Sequence, residues 1–381
     1  MAGPAVSITP GEGHWFFGYY DKSPWDATGR YVLALRVGFM DRPPGPEDRA
    51  ELGLIDTADR CSWRVLAETT AWNWQQGCML QWLPSEPDRR IVFNARRGDE
   101  FRAVVMDVQT GERRELPLPV YALAPDGATA YSLNFSRLAD CRPGYGYAGL
   151  PDPFREEARP ARDGVWRMDL RTGETKLVLS IEQVAMLRPR PSMGGAKHWF
   201  NHVQVSPDGS RFAFLHRWRR FGTDSSWRTQ LVTASADGTG ALCLSDGDMV
   251  SHYDWRDPGH ILAWARRPGI GDRFFLIADR SREWEVVGDG VLSCDGHCSY
   301  SPDRRRILTD TYPAGPRRER TLLVYEPASK RRIVLGAFAD GGLEGEIRCD
   351  LHPRWSRDGR KVCFDSVHEG PRRMYVMDVP D

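Results

Sequence analysis

Four histidines, His202, His252, His297 and His352, open four stretches that align without gaps: "HVQVSPDGSRFAFLHR", "HYDWRDPGHILAWARR", "HCSYSPDRRRILTDTY" and "HPRWSRDGRKVCFDSV". An imidazole that changes charge near neutral pH serves as a proton acceptor, a metal ligand or a partner for an anion. Two of the four belong to a repeated Cys-x-x-His spacing, "CDGH" from Cys294 to His297 and "CDLH" from Cys349 to His352. Thiolate and imidazole together suit zinc, so His252, His297, Cys349 and His352 form a candidate tetrahedral site, with Cys294 in reserve. A second pair, His202 and His216, flanks the turn at Pro207–Gly209 and reads as cross-strand neighbours, with either one a candidate base. Basic residues recur at the same end of the repeats, among them Arg228, Arg266 and the run "RWRRF". They suit the carboxylate of an acidic ligand.

The repeat tells what must position these groups. Weaker copies begin at Lys22, Cys78 and Val120, which makes seven in all. Each copy is a short alternating segment, a turn of the Pro-Asp-Gly kind and a second alternating segment, which is the pattern of an antiparallel hairpin. The strand-like runs between copies, such as "VWRMDLRTGETKLVL", supply two further strands. Starts at 202, 252, 297 and 352 lie 50, 45 and 55 residues apart, the length four strands and their turns require. The expected fold is all-β, a single domain over residues 1–381 built as a seven-bladed β-propeller with four-stranded antiparallel blades. The strand before each turn then lines the central channel, and the aligned histidines converge on it. The last blade shows three strands, so "AVSIT" (residues 5–9) is expected to pair with "MYVMDV" and close the ring. A Pro- and Gly-rich stretch over about 136–164 reads as a long inserted surface loop.

Bulk composition excludes several classes of function. Lys plus Arg equals Asp plus Glu at 52 each, so no global field favours nucleic acid or an anionic membrane, and neither is an expected partner. No apolar run is long enough to span a bilayer, and the N-terminus lacks a signal-peptide pattern. The expected location is the cytoplasm, or the periplasm or exterior if a signal peptide was removed. Eight cysteines in 381 residues do not form a small-domain disulfide framework.

The segments "FNHVQVSPDG", "SHYDWRD", "DGHCSYSPD" and "RCDLHPRWSRDG" resemble the seven-bladed polysaccharide lyases typified by oligogalacturonate lyase, with ulvan lyases as more distant relatives. The resemblance implies β-elimination on an acidic, uronate-containing oligosaccharide and a divalent metal. His297 and His352 match family ligands, while Cys349 stands where the family has Gln and Arg354 where it has a last histidine. That exchange favours zinc over manganese, or no metal at all, while a site lacking the thiolate would leave manganese or calcium open. The ulvan-type relatives imply a Tyr and an Arg sixteen residues apart, matched here by Tyr121 as proton donor and Arg137 on the carboxylate. Two upstream histidines of that group correspond to Gln76 and Asn94 as substrate contacts.

The chemistry such a site must perform is defined. Removing the C5 proton of a uronate requires a metal ion or arginine on the adjacent carboxylate, a base at C5 and a proton donor at the departing O4. Two other readings use the same residues: a non-catalytic propeller that docks glycan or protein, and a hydrolase of intracellular glycans. A plainer reading of each single histidine is that it opens its repeat and caps the strand by bonding to a neighbouring blade.

Overall fold

In the computed structural model, which describes residues 3–245 and 247–380, seven four-stranded antiparallel sheets surround a channel. Blade 1 comprises His14–Phe16, Tyr31–Val37, Ala50–Asp56 and Ser62–Thr69. Blade 4, which carries the "FNHVQV" stretch, comprises Lys197–Val205, Arg211–Arg219, Arg228–Ser235 and Leu242–Ser245. Blade 5 runs from Val250–Asp257 to Trp284–Val286, and blade 6 from Ser299–Tyr300 to Arg331–Ala339. Blade 7 takes three strands from the C-terminal end, Arg354–Trp355, Lys361–Ser366 and Arg373–Asp378. Its outer strand is Val6–Ser7, with Val6 opposite Val376 and Ser7 opposite Tyr375. The expected closure between the two ends of the chain is present.

The turn that makes the repeat legible has a local cause. In blade 4 the Ser206 hydroxyl donates to Asp208 at 2.7 Å and accepts from the Arg211 amide at 3.0 Å, while Gly209 takes φ of +74°. Ser301 with Asp303 and Ser356 with Asp358 repeat the arrangement at 2.6 Å. These side-chain bonds reinforce the backbone bond from the Gly209 amide to the Ser206 carbonyl at 2.9 Å, which accounts for Ser-x-Asp in the sequence. Blades are glued by apolar clusters, such as Leu215, Leu231, Tyr253, Trp255, Ile261 and Phe275 between blades 4 and 5.

The stretch expected as a loop over about 136–164 begins as a helix. Helix α1, Phe135–Cys141, is capped by Asn134 and buries Phe135, Leu138 and Cys141. Its apolar face packs against the Lys197–Val205 strand of blade 4, beside Trp199 and Phe200, and Tyr145 and Tyr147 just beyond it are buried as well. Pro and Gly content signalled the irregular backbone but hid this amphipathic turn. A second helix, α2 (Ile181–Leu187), starts at a capping box formed by Ser180 and Gln183.

Candidate functional site

The aligned histidines leave their strands where the ladder breaks. Register shifts between Asn201 and Gln204 in blade 4, and between Val250 and Tyr253 in blade 5, coincide with His202 and His252. His202 and His352 adopt φ of +55° and +41°. A bulge with left-handed backbone re-aims a side chain that a regular strand would place in the blade core. At the axis the rings gather: His252 to His297 at 4.1 Å between centroids, His297 to His352 at 4.4 Å, and His202 to His252 at 6.4 Å.

His297 is the most firmly oriented. Its Nδ1 lies 2.9 and 3.0 Å from the two oxygens of Asp310, so Nδ1 donates and Nε2, which is buried and without a hydrogen-bond partner, keeps its lone pair. Ligand atoms of His297, Asp350 and His352 all lie within 4.8 Å of one another. Asp350 is itself held, with Arg348 Nε at 2.7 Å and Arg320 Nη1 at 2.9 Å. Burial pushes its carboxyl up, but Arg348 and Arg320 outweigh this and keep it far below the usual carboxylate range. Burial, with His297 nearby, drives the His352 pKa well down, so its imidazole is neutral and able to donate a lone pair. Two imidazole nitrogens and one carboxylate suit a divalent cation.

Cys349 falls outside this group. Among the described residues its thiol does not join the clustered ligand atoms of His297, Asp350 and His352, and the charges that act on it most are those of Arg372 and Asp365. Its thiol is buried and pushed up to about 11 by burial. His252 stays at the axis but is tied through Nδ1 to Asp295 at 2.9 Å. The feature that repeats in "CDGH" and "CDLH" and reaches the site is the aspartate, not the cysteine. Arg354, which stands where the resemblance implies a histidine, is buried in a two-pronged pair with Asp365 at 2.9 and 3.0 Å.

The other sequence candidates divide into two sets. Tyr121 lies on the channel wall, where its hydroxyl donates to Asn201 Oδ1 at 3.0 Å and accepts from the Gln76 amide at 2.8 Å and the His202 main-chain N–H at 3.0 Å. Tyr121, Gln76 and His202 thus form one network. His216 does not join it. The bulge displaces the register so that His216 faces Phe200, and its Nε2 bonds to His198 Nδ1 at 2.8 Å inside blade 4, beside Trp218. Arg137 is buried in α1, with every N–H group engaged by Asp152 and by the carbonyls of Phe154, Glu157, Ala158 and His198. It pins the insertion and has no donor left for a substrate. Asn94 is a backbone staple, bonding to both main-chain groups of Val120. Arg228 and Arg266 sit on the outer rim, paired with Asp224 and Asp272.

Sequence reading missed the residues that close the chamber. Tyr19 stacks on His202 at 4.8 Å and approaches His352 at 4.9 Å. Its hydroxyl lies 3.2 Å from His202 Nε2, and burial raises its pKa well above the ordinary value. Tyr145 of the insertion covers the same rings and accepts a hydrogen bond from Arg348 at 2.8 Å. Arg217 is 4% exposed, and its Nε and Nη1 have no hydrogen-bond partner. Burial, then the charge of Arg142, pushes its pKa down to about 10. Arg142 in turn lies over the rings of Tyr145 and Trp227. "FGYYDKS" and "RPGYGY" carried the tyrosines in view, but nothing in their spacing directs a loop residue to the axis. No helix among the described residues is long and apolar enough to cross a membrane.

Comparison with known proteins bears on the fold. No protein-family model matches the sequence, and no curated protein matches it. An oligogalacturonate lyase from Vibrio parahaemolyticus superposes with a TM-score of 0.68 at 14% identity, over 99% of this chain and 94% of that one. An oligogalacturonate lyase in complex with manganese gives 0.71 at 16% identity, over 99% and 93%. The tricorn protease gives 0.55 at 12% identity, matching 96% of this chain but 34% of its own. The chain is a seven-bladed propeller whose full length is similar in structure to oligogalacturonate lyases.

Proposed function

We infer that the protein is a metal-assisted lyase that cleaves short uronate-containing oligosaccharides by β-elimination. The observation that carries this reading is a buried guanidinium without an ion pair among the described residues, Arg217, whose charge acts on His202 and Tyr19, the stacked rings beside the His352 donor. A desolvated, unpaired cation is costly, and an anionic ligand relieves that cost. The full-length structural similarity to oligogalacturonate lyases agrees with it.

His297, Asp350 and His352 would hold the cation. Without a thiolate the preference for zinc disappears, and two imidazoles argue against calcium, so manganese and zinc both suit the donors. When bound, a divalent cation supplies Lewis-acid neutralisation of the substrate carboxylate, which acidifies the adjacent C–H. Arg217 and Arg142 bind and orient the same carboxylate. His252 takes the C5 proton: its ring lies 4.1 Å from that of His297, and Asp295 orients it and stabilises the imidazolium that forms. Burial lowers its pKa, and Asp295 opposes the shift, so at neutral pH it is an unprotonated base. Tyr19, kept protonated by burial, donates to the departing O4 and is positioned by its stack on His202. Tyr121 and Gln76 fix the backbone of His202.

The deciding experiment incubates the protein, loaded with manganese or zinc, with oligogalacturonates and other uronate oligosaccharides. Ultraviolet absorbance of the unsaturated product is followed. Product formation that disappears in His252→Ala supports the reading. Silence on every uronate with both metals overturns it and leaves a binding role for the chamber.

A further inference from the structure

Tyr312 stands apart from the other rings that meet the axial histidines. Tyr19, Tyr20 and Tyr145, which pack on those imidazoles, are 2–3% exposed, and none of the four histidines exceeds 4%. Tyr312 is 41% exposed, yet its ring centroid lies 6.4 Å from that of His252 and 6.3 Å from that of His297. Among the described residues it is the one tyrosine that borders both the buried cluster and solvent.

Local sequence puts it there and holds it. Asp310, which orients His297, directly follows the Ile307–Thr309 strand of blade 6, and Tyr312 comes two residues later, where the chain leaves the sheet. Pro313 has no N–H for a ladder, and the next pairing is the bridge between Ala314 and Glu319. Beside the tyrosine, Thr311 Oγ1 accepts the Thr321 amide at 2.9 Å, which pins the backbone. The guanidinium of Arg320, 2% exposed and paired with Asp350, lies 5.8 Å from the centre of the Tyr312 ring. The base of the ring is therefore fixed to the same carboxylate that joins the ligand cluster.

Asp295, the partner of His252, has a side chain 20% exposed, and its charge acts on Tyr312 together with that of Asp350. Tyr312 and Asp295 thus mark where the closed cluster meets solvent, on its His252 side. An oligosaccharide whose reacting unit sits at His252 must carry its other units out of a cluster whose remaining rings are buried. A sugar presents a face of C–H groups, which packs on an aromatic ring, and a ring already held in place gives that contact at small entropic cost.

We propose that Tyr312 is a specificity-determining residue: its ring stacks a sugar unit adjoining the one that reacts, so the site favours a chain of two or more units over a single uronate. This assignment rests on the uronate-cleaving reading of the same chamber.

Calorimetric titration of the manganese-loaded full chain with galacturonate and with trigalacturonate tests it, in a His252→Ala background that stops turnover during the measurement. The trimer is expected to bind more tightly than the monomer. Tyr312→Ala weakens trimer binding about tenfold, or roughly 1.4 kcal/mol, and leaves monomer binding unchanged. Tyr312→Phe and Tyr312→Trp keep a flat ring and hold the trimer near its starting affinity. Metal content and melting temperature are measured for each variant, and Tyr312→Leu, which keeps apolar bulk without a flat face, takes the place of Tyr312→Ala if that variant loses metal or fold. Three results overturn the assignment while the lyase reading stands: trimer binding undiminished without the ring, equal weakening of monomer and trimer, or a Tyr312→Phe as weak as Tyr312→Ala. Failure of the protein to bind either uronate overturns both.

Discussion

Nδ1 of His297 lies 2.9 Å from one oxygen of Asp310, and the same oxygen accepts the histidine's own main-chain N–H at 2.7 Å. One carboxylate thus fixes both the ring and the backbone of the residue best placed as a ligand. Partners of this kind are worth roughly 10- to 100-fold in metal affinity. Asp310→Asn is expected to weaken manganese or zinc binding by that factor in calorimetric titration, with the fold kept. Unchanged affinity would mean that His297 is not a ligand.

Ligand identity separates cleanly at two adjacent residues. Cys349→Ser is expected to retain the wild-type metal content by elemental analysis, because the thiol is not among the clustered ligand atoms. Asp350→Asn is expected to lose metal, and also to destabilise the fold by about 3–5 kcal/mol, since Arg320 and Arg348 would be left buried without their carboxylate. Metal is therefore measured per mole of folded protein. A drop in Cys349→Ser alone would restore the cysteine as the ligand.

These two residues also show what the sequence could and could not display. The blades were legible because each depends on local chemistry: Ser206 and Asp208 build their turn within a few residues, and copies of that turn recur. Closure by Val6 and Ser7 was legible because blade 7 lacked a strand. Convergence of the histidines was legible because equal repeat positions meet at one level of a ring. Direction was not. His202 and His216 flank one turn, but the register beside it pairs Val205 with Phe212 and Gln204 with Ala213, so they do not face each other, and past the bulge His216 lies opposite Phe200. Nor was saturation: Arg137 matched a spacing yet spends all its donors on carbonyls and Asp152, whereas Arg217, which nothing in the run "RWRRF" sets apart from its neighbours, is a buried cation with unpartnered Nε and Nη1.

The two kinds of arginine predict opposite mutational outcomes. Arg217→Met is expected to reduce kcat/KM on a uronate substrate by at least about 100-fold, while thermal stability is unchanged or higher because an unpaired buried charge is removed. Arg228→Ala and Arg266→Ala, on exposed rim pairs, should leave both quantities within about 0.5 kcal/mol of wild type. Wild-type turnover in Arg217→Met would place carboxylate recognition elsewhere.

Acid should loosen the metal-free protein well before carboxylates titrate in bulk. Burial pushes His198 down to about 4, and it drives His202 and His216 well below the ordinary value near 6.5. Between that value and the folded one, the unfolded chain binds protons that the folded chain refuses, so each group's contribution to stability is present above pH 6.5 and is lost as pH falls. For His198 alone the loss approaches roughly 3 kcal/mol by pH 4. Asp163 and Asp254, pushed up to about 6 by burial, act in the opposite direction with Glu346 and Asp365, but among the described residues these four carboxyls stand against seven lowered imidazoles. The melting temperature is expected to fall between about pH 7 and pH 5. His198→Gln, which removes one member of the buried imidazole pair, should flatten that slope. A melting temperature that is level or rising toward pH 5 would show that the buried imidazoles accept protons in the folded state.

Ring closure sets the last expectation. Val6 and Ser7 pair with Val376 and Tyr375, and the Ile8 amide donates to the Met374 carbonyl at 3.0 Å, which places the buried Ile8 side chain against the ring. Deleting residues 1–9 removes these bonds, exposes the edge of the Arg373–Asp378 strand and uncovers part of the apolar seam at Met374. Burial of one isoleucine is worth about 1.5–3 kcal/mol, and the lost ladder bonds add roughly 1 kcal/mol each. The truncated chain is expected to unfold at a denaturant midpoint clearly below that of the full chain, and to associate through its new open edge as concentration rises. Both are read from denaturation monitored by tryptophan fluorescence and from sedimentation. An unchanged midpoint with a monomeric species would mean that the outer strand is dispensable and that the ring is held by inter-blade packing alone.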